Sequence, residues 1–236
     1  MKNLKVIALG LCAALLVAGC KTKMGTGALI GTGGGAALGA IVGKLAGNTA
    51  VGAAVGAAVG AGTGALIGKH MDKVKAETEA QLAETATVEE VTDANGLKAV
   101  KVTFDSGILF ASSSATLSSS AKSSLSKFAN TVLKKNADID VNVYGYTDNQ
   151  GWKNSTAEQS VQKNLNLSQE RAQSVASYLM ACGAAADQIE TVEGLGESNP
   201  VADNSTEAGR EQNRRVEVYL YASQEMIDAA NNGTLQ

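Results

Sequence analysis

Glycine recurs at every fourth position through a stretch that carries almost no charge, and this spacing restricts the chain's options more than any other feature. Residues 25–68 number 44, of which 15 are glycine, with no acid and Lys44 as the one base. Gly31, Gly35, Gly39, Gly43 and Gly47 fall in step, and after Asn48-Thr49 the series resumes at Gly52, Gly56, Gly60, Gly64 and Gly68. A flexible linker has no need of the Ala, Leu, Ile and Val that lie between them. A small residue at every fourth position cuts a groove down one helix face, along which two backbones approach closely. In water each glycine weakens a helix by roughly 1 kcal/mol relative to alanine, whereas in lipid the backbone must bond itself and the helix is the remaining option. The expectation is an antiparallel helical hairpin in a membrane over 25–68. Arms at 31–47 and 51–68 reach about 26 Å at 1.5 Å per residue, short spans that local thinning and a snorkelling Lys44 accommodate. The alternative is a Gly/Ala segment that lies on a surface or self-associates.

Upstream, Lys2 and Lys5 precede an apolar run over 6–17 that ends in Leu16-Val17-Ala18-Gly19-Cys20. The run is too short for a bilayer core of about 30 Å and suits a signal peptide. Small residues ahead of a cysteine resemble the lipobox of bacterial lipoproteins, in which the sulfur takes a diacylglycerol and the chain is cut just before it. Residues 1–19 are therefore expected to leave, with Cys20 lipidated at the head of a short 20–24 segment. An ordinary secretory peptide that happens to hold a cysteine is the plainer alternative. Cys12 then departs, Cys20 is acylated, and Cys182 remains with no disulfide partner, expected as a small buried hydrophobe. The formal charge of −3 becomes about −5 without Lys2 and Lys5. That acidity argues against nucleic acid as a partner.

After Gly68 the composition turns charged and helix-prone. Residues 69–86 are expected as a juxtamembrane helix or linker, with His70, the only histidine, at the interface. Residues 87–223 have the size of one domain. Alternation and turn signals place strands at 87–91, 97–104, 139–146, 189–195 and 215–221, with a hairpin turn around Asn95-Gly96. Helical spacing places helices at 118–134, 167–182 and 206–212, and a Ser-rich loop over 106–114. Helices packed on a sheet make a two-layer α/β domain. Residues 224–236 are left as a C-terminal tail.

Little here suggests a reaction. A Ser-His-Asp or Cys-His hydrolase needs a histidine beside its nucleophile, and the domain has none. Clusters of Cys and His for zinc are missing, as is a Walker-type phosphate loop. An enzyme is not expected, nor a metal or cofactor. What does stand out is a series in fixed order: Gly145-Tyr146-Thr147-Asp148 at a strand end, then Asn164-Leu165-Asn166-Leu167-Ser168-Gln169-Glu170-Arg171-Ala172 on a helix. Gly194-Leu195-Gly196, Asn199-Pro200 and Asn213-Arg214-Arg215-Val216-Glu217 follow. The series resembles the peptidoglycan-binding domain of the OmpA-like family over about 102–220, and with the N-terminal features the chain resembles glycine-zipper lipoproteins of the Gram-negative envelope.

The resemblance implies an α/β two-layer sandwich of the OmpA C-terminal type, with helices on one mixed sheet, preceded by the Gly-rich membrane hairpin. It implies a ligand, the stem peptide of peptidoglycan, gripped at the zwitterionic end of diaminopimelate. Asp148 would accept from the ammonium and Arg171 would fork onto the carboxylate, a geometry that Lys does not reproduce. Thr147, Asn164 and Leu167 would shape the site, and Asp105 would reach it, whereas Asn213 and Arg214 would be structural. Two departures accompany the match. Tyr146 stands where the family usually has His. Asp148 and Arg171 lie 23 residues apart, wider than the family's usual spacing, and the excess falls within 150–163, around the only tryptophan, Trp152. That segment is either a lid or a harmless surface insertion.

The partners implied are peptidoglycan, membrane lipid through acylated Cys20 and the zipper hairpin, and a second copy of the chain through the zipper faces. A motor stator would need an intramembrane carboxylate, which the zipper lacks. The other reading is an oligomeric or pore-like zipper assembly, with the folded domain as a locator. Lys21 after the lipidated Cys favours the outer membrane, with the domain in the periplasm.

Overall fold

A computed structural model of the chain describes residues 61–93 and 96–235. The signal peptide, Cys20 and the first arm of the expected hairpin lie outside the described residues, as does the second arm up to residue 60. The described part opens with α1 (Ala61–Leu82), followed by β1 (Thr87–Thr92), β2 (Lys98–Asp105), the one-turn α2 (Ser106–Leu109) and α3 (Ser119–Phe128). Helix α3 widens into a π-turn over Ala129–Leu133. Then come β3 (Ile139–Gly145), α4 (Ala157–Ala181), β4 (Ile189–Gly194), α5 (Glu207–Asn213), β5 (Arg215–Ala222) and α6 (Gln224–Asn231). The sheet runs β1-β2-β5-β3-β4, antiparallel except for the parallel pair β3 and β4. Mixed sheet and packed helices match the expected class.

Strand alternation sorts the side chains. Val100, Val102, Phe104, Val141, Val143, Val216, Val218 and Leu220 join one aliphatic core with Phe128, Val132, Leu133, Val175 and Leu179 from the helices. Residues of the opposite parity form a second, smaller cluster of Ala99, Tyr144, Tyr146, Leu195 and Tyr219. Within it Arg215 bonds Glu217 at 2.8 Å, and Glu217 accepts from the Tyr219 hydroxyl at 2.9 Å. The Arg215 guanidinium also lies 3.7 Å from the centre of the Tyr146 ring. Cys182 is half-buried at the end of α4 and packs on the main core.

Three boundaries differ from expectation. Residues 69–82 of the expected juxtamembrane helix or linker over 69–86 are helical and lie on the body. Their helix starts at Ala61, within the expected second membrane arm, and buries Ile67, Met71, Val74 and Leu82 completely. Those residues fall on one helical stripe, which the 68/69 division had split in two. The Thr63 hydroxyl donates to Asn231 at 2.8 Å, and His70 faces Asp138 at 3.7 Å. Helix α4 starts ten residues before its expected beginning. A capping box does this: Thr156 accepts from Gln159 N–H, and the Gln159 side chain returns to Thr156 N–H. The expected tail is helix α6, capped by Ser223, with Met226 and Ile227 buried. None of the described helices is long and apolar enough to cross a membrane.

Two glycines set how near α4 sits to the sheet. A Cβ on Gly145 would stand 2.1 Å from the Ser168 carbonyl oxygen, and one on Gly194 would stand 2.1 Å from the Gln169 nitrogen. Gly145→Ala or Gly194→Ala should therefore cost about 3 kcal/mol through overpacking, lowering Tm by about 6–12 °C in a thermal scan. Gly62→Ala, where nothing lies within 4 Å, should leave Tm unchanged or raised.

At the far end of β3, burial pushes the Asp140 carboxyl up to about 7 from an ordinary 3.8, and Glu190, Glu225 and Asp187 add to the effect. A raised carboxyl value means that the folded chain keeps a proton the unfolded chain releases. The stability is full below about 3.8 and is lost as pH rises toward 7. Asp140→Asn is expected to raise Tm at pH 8, with the gain vanishing near pH 4.

Candidate ligand-binding cleft

Strand β3 ends at Gly145, and the next three residues turn into a cleft of about 760 Å³. Tyr146 N–H donates to the Arg215 carbonyl at 2.9 Å and Thr147 N–H to the Gly196 carbonyl at 2.8 Å, which fixes the turn between neighbouring strands. Asp148 follows, 6 % exposed. One carboxylate oxygen accepts from Gln150 N–H at 3.0 Å, and the other takes Nη1 of Arg214. Helix α4 supplies the opposite wall. Because Ser168 and Gln169 press on Gly145 and Gly194, Arg171, one turn on, is carried to the cleft 4 % exposed.

Arg171 is held by the Ser-rich segment. Its Nε donates to the Ser114 carbonyl at 2.9 Å, and its guanidinium carbon lies 5.2 Å from the Phe110 ring centre. Residue 113 makes that grip available by adopting the left-handed backbone at φ +54°. Burial holds the Arg171 group below its ordinary value, the Arg214 charge lowers it further and Asp148 opposes both. The cation persists all the same, since a guanidinium does not lose its proton in proteins.

Arg214 links Asp148 to Glu207, whose carboxylate accepts from Nη2 at 2.9 Å. Burial pulls the Arg214 value down, but the bonds to Asp148 and Glu207 outweigh it and leave the group raised. Two hydroxyls complete the inner surface. Thr147 Oγ1 and Ser106 Oγ are buried without a hydrogen-bond partner, and both residues line the cleft. Buried polar atoms are nearly always satisfied, and these two share their unpartnered state with the Tyr144 and Tyr146 hydroxyls away from the cleft. Among the described residues no group of three His, Cys, Asp or Glu is placed to hold a metal.

Residues 109–214 match the OmpA family, and residues 1–72 match the YMGG-like Gly-zipper family, whose match ends inside α1. Among solved structures, the cell wall anchor of the T6SS from Pseudomonas aeruginosa is 32 % identical, with a TM-score of 0.51 over 63 % of this chain and 97 % of that one. Residues 109–214 thus form an OmpA-family domain. Relatives include the outer-membrane lipoprotein YfiB of Pseudomonas aeruginosa, 41 % identical over half of this chain and 64 % of its own length. The peptidoglycan-binding protein ArfA of Mycobacterium tuberculosis is 48 % identical over 37 % of this chain and 24 % of its own. The chain thus spans less than two thirds of either curated relative.

Of the OmpA-family site residues expected from sequence, Thr147, Asp148, Asn164, Leu167 and Arg171 all line the cleft. Asn164 acts as a brace, donating from Nδ2 to the Asp148 and Gln150 carbonyls at 3.4 and 3.2 Å. Asp105 does not line the cleft. It caps α2, accepting from Gly107 N–H at 2.6 Å, and its neighbours Ser106 and Gly107 take the place on the wall. Asn213 is structural as expected, bonding Val201 and Ala202 N–H at 2.7 and 3.0 Å. Arg214, expected as structural, pairs with Asp148 and Glu207 and also lines the cleft, while Arg215 enters the strand. Tyr146, in the usual His position, is fully buried beneath Arg215, away from the lining.

The Asp148–Arg214 pair is open to a double-mutant cycle. Arg214→Gln leaves a buried carboxylate short of its partner and should lower stability by about 1–2 kcal/mol. The same change in an Asp148→Asn background should have little effect, giving a coupling of similar size by denaturant unfolding.

Proposed function

We propose that this chain, through its OmpA-family domain, binds peptidoglycan non-covalently and tethers an envelope membrane to the cell wall. The observation that carries the reading is the cleft itself. An acid and two arginines converge there with two unpartnered hydroxyls, on a fold shared with a cell wall anchor. The ligand is the free end of diaminopimelate in the stem peptide. Asp148 keeps lone pairs for its ammonium, and the terminal nitrogens of Arg171, whose Nε alone is committed to Ser114, take its carboxylate. Thr147 and Ser106 add neutral hydrogen bonds. Opposite charges on the protein discriminate a zwitterion from a simple anion or cation. This is a binding module, and no reaction is assigned to it.

Acylated Cys20 holds the chain to lipid, with the domain in the periplasm and the anchor in the outer membrane. Lys21 after the lipidated residue and the outer-membrane lipoprotein relative support that placement. The zipper hairpin adds a second lipid contact. A second reading, self-assembly through the zipper, is favoured by the Gly-zipper family match. Crosslinking of the anchored chain that rises with its density and is lost in Gly39→Leu or Gly56→Leu would support assembly, whereas a monomer unaffected by either would sink it.

The wall-binding reading is tested by sedimenting the detergent-solubilised full chain with purified sacculi. Wild type should pellet. Asp148→Ala and Arg171→Ala, checked as folded, should lose about 2–3 kcal/mol of binding, roughly 30- to 150-fold. Arg171→Lys should not restore it, since an ammonium lacks the fork. A wild type that stays soluble, or variants that pellet equally, would overturn the assignment.

A further inference from the structure

The cleft is far larger than one amino acid requires; volumes of this order accommodate whole drug-sized ligands. Part of its lining, Gln150 to Lys153, comes from the segment in which the spacing between Asp148 and Arg171 is widened. That segment is not a loose lid. Its second half is the first two turns of α4, and its first half carries Trp152, half-buried on the cleft wall.

Trp152 is fixed in three ways. Its backbone N–H donates to Ser160 Oγ at 3.0 Å, its indole N–H donates to Asn164 Oδ1 at 2.7 Å, and Lys163 Nζ lies 5.7 Å from the ring centre. With the indole N–H already used, what the residue offers a ligand is ring surface. Gln150, Gly151 and Lys153 stand around it on the lining. An aromatic face framed by amide, amine and backbone groups suits a ligand that has an apolar C–H face and a polar rim, which describes a pyranose ring. An aliphatic side chain there would leave the polar groups without partners. Asn164 braces both ends of the arrangement, since the side chain that receives the indole also holds the Asp148 carbonyl.

We propose that Trp152 forms a saccharide subsite, stacking on an N-acetylated amino-sugar ring of the glycan that carries the stem peptide bound by Asp148 and Arg171. The proposal rests on the peptide-binding reading above and extends it from a peptide tip to a peptide joined to its sugar. Trp152 is then a specificity-determining contact, and the widened segment is the part of the chain that builds it.

The test titrates the detergent-solubilised full chain with two probes, a diaminopimelate-containing stem tripeptide and the same tripeptide joined to its disaccharide. Calorimetry reads affinity for every variant, and the single tryptophan adds emission as a direct readout in the wild type. Wild type should prefer the sugar-bearing probe by about tenfold, the size of one good aromatic contact, with an emission shift the bare peptide does not produce. Trp152→Ala should erase that preference and leave bare-peptide affinity within about twofold. Trp152→Phe, which keeps a ring but lacks the indole N–H, should retain much of the preference. Equal binding of both probes by wild type would overturn the subsite and leave the peptide reading standing. Equal weakening of both probes in Trp152→Ala would also overturn it, by making the residue a structural support. Failure of both probes to bind wild type would overturn both readings.

Discussion

Helix α4 lies against the ends of β3 and β4 at backbone contact, and the cleft exists because of that approach. Any side chain at 145 or 194 would push the helix outward, since a Cβ at either position meets backbone atoms at 2.1 Å. The contact is also bonded. Gly196 N–H donates to Ser168 Oγ at 2.9 Å, Gly194 N–H donates to Gln169 Oε1 at 2.7 Å, and the Gln169 amide returns to the Val192 carbonyl at 3.2 Å. Arg171 is one turn further along the same helix, and Asp148 is three residues beyond the same strand. The spacing of the two charges is therefore set by rigid elements whose separation is fixed by missing side chains. Groups that must meet a ligand at hydrogen-bond tolerance are better held this way than on loops.

The walls on either side are of a different kind. Residues 149–156 have few apolar anchors and are held by polar bonds, whereas the Ser-rich segment is pinned to the core by Leu109 and Phe110 and adds polar bonds at its end. Ser114 takes Arg171, Ser160 takes the Trp152 backbone, and Asn164 takes the indole. Each of these bonds is modest alone, about 0.5–1.5 kcal/mol net. They share members, however, so that Asn164 touches the acid's backbone, the insertion and the tryptophan together. The cleft thus combines a stiff floor with walls whose composition can vary without disturbing the sheet.

Much of this was legible beforehand. Period-two runs located all five strands to within two residues, and the ordered motifs located Asp148 and Arg171. What escaped was information that local pattern does not carry. Arg214 and Arg215 are chemically identical neighbours, and nothing in the sequence says which turns to the cleft and which enters β5 over the Tyr146 ring. The first turns of α4 were missed because 157–163 are mostly polar and show no apolar stripe, although Thr156 and Gln159 were there as a capping box. The tail at 224–231 carried its signals too, Ser223 as a cap with Met226, Ile227 and Ala230 behind it. Helix α1 was divided because its apolar stripe crosses the compositional border at Gly68. Ile67 counted with the glycines and Met71 with the charges, although both face the same core.

That undivided helix determines reach. Packed along the body, the 22 residues of α1 add no free length of their own beside the cleft. Releasing α1 as a free helix would lengthen the connection by about 33 Å. It would also expose Ile67, Met71, Val74 and Leu82, each worth about 1.5–3 kcal/mol when buried. An attachment upstream of α1 would gain that length only if those four side chains left the core.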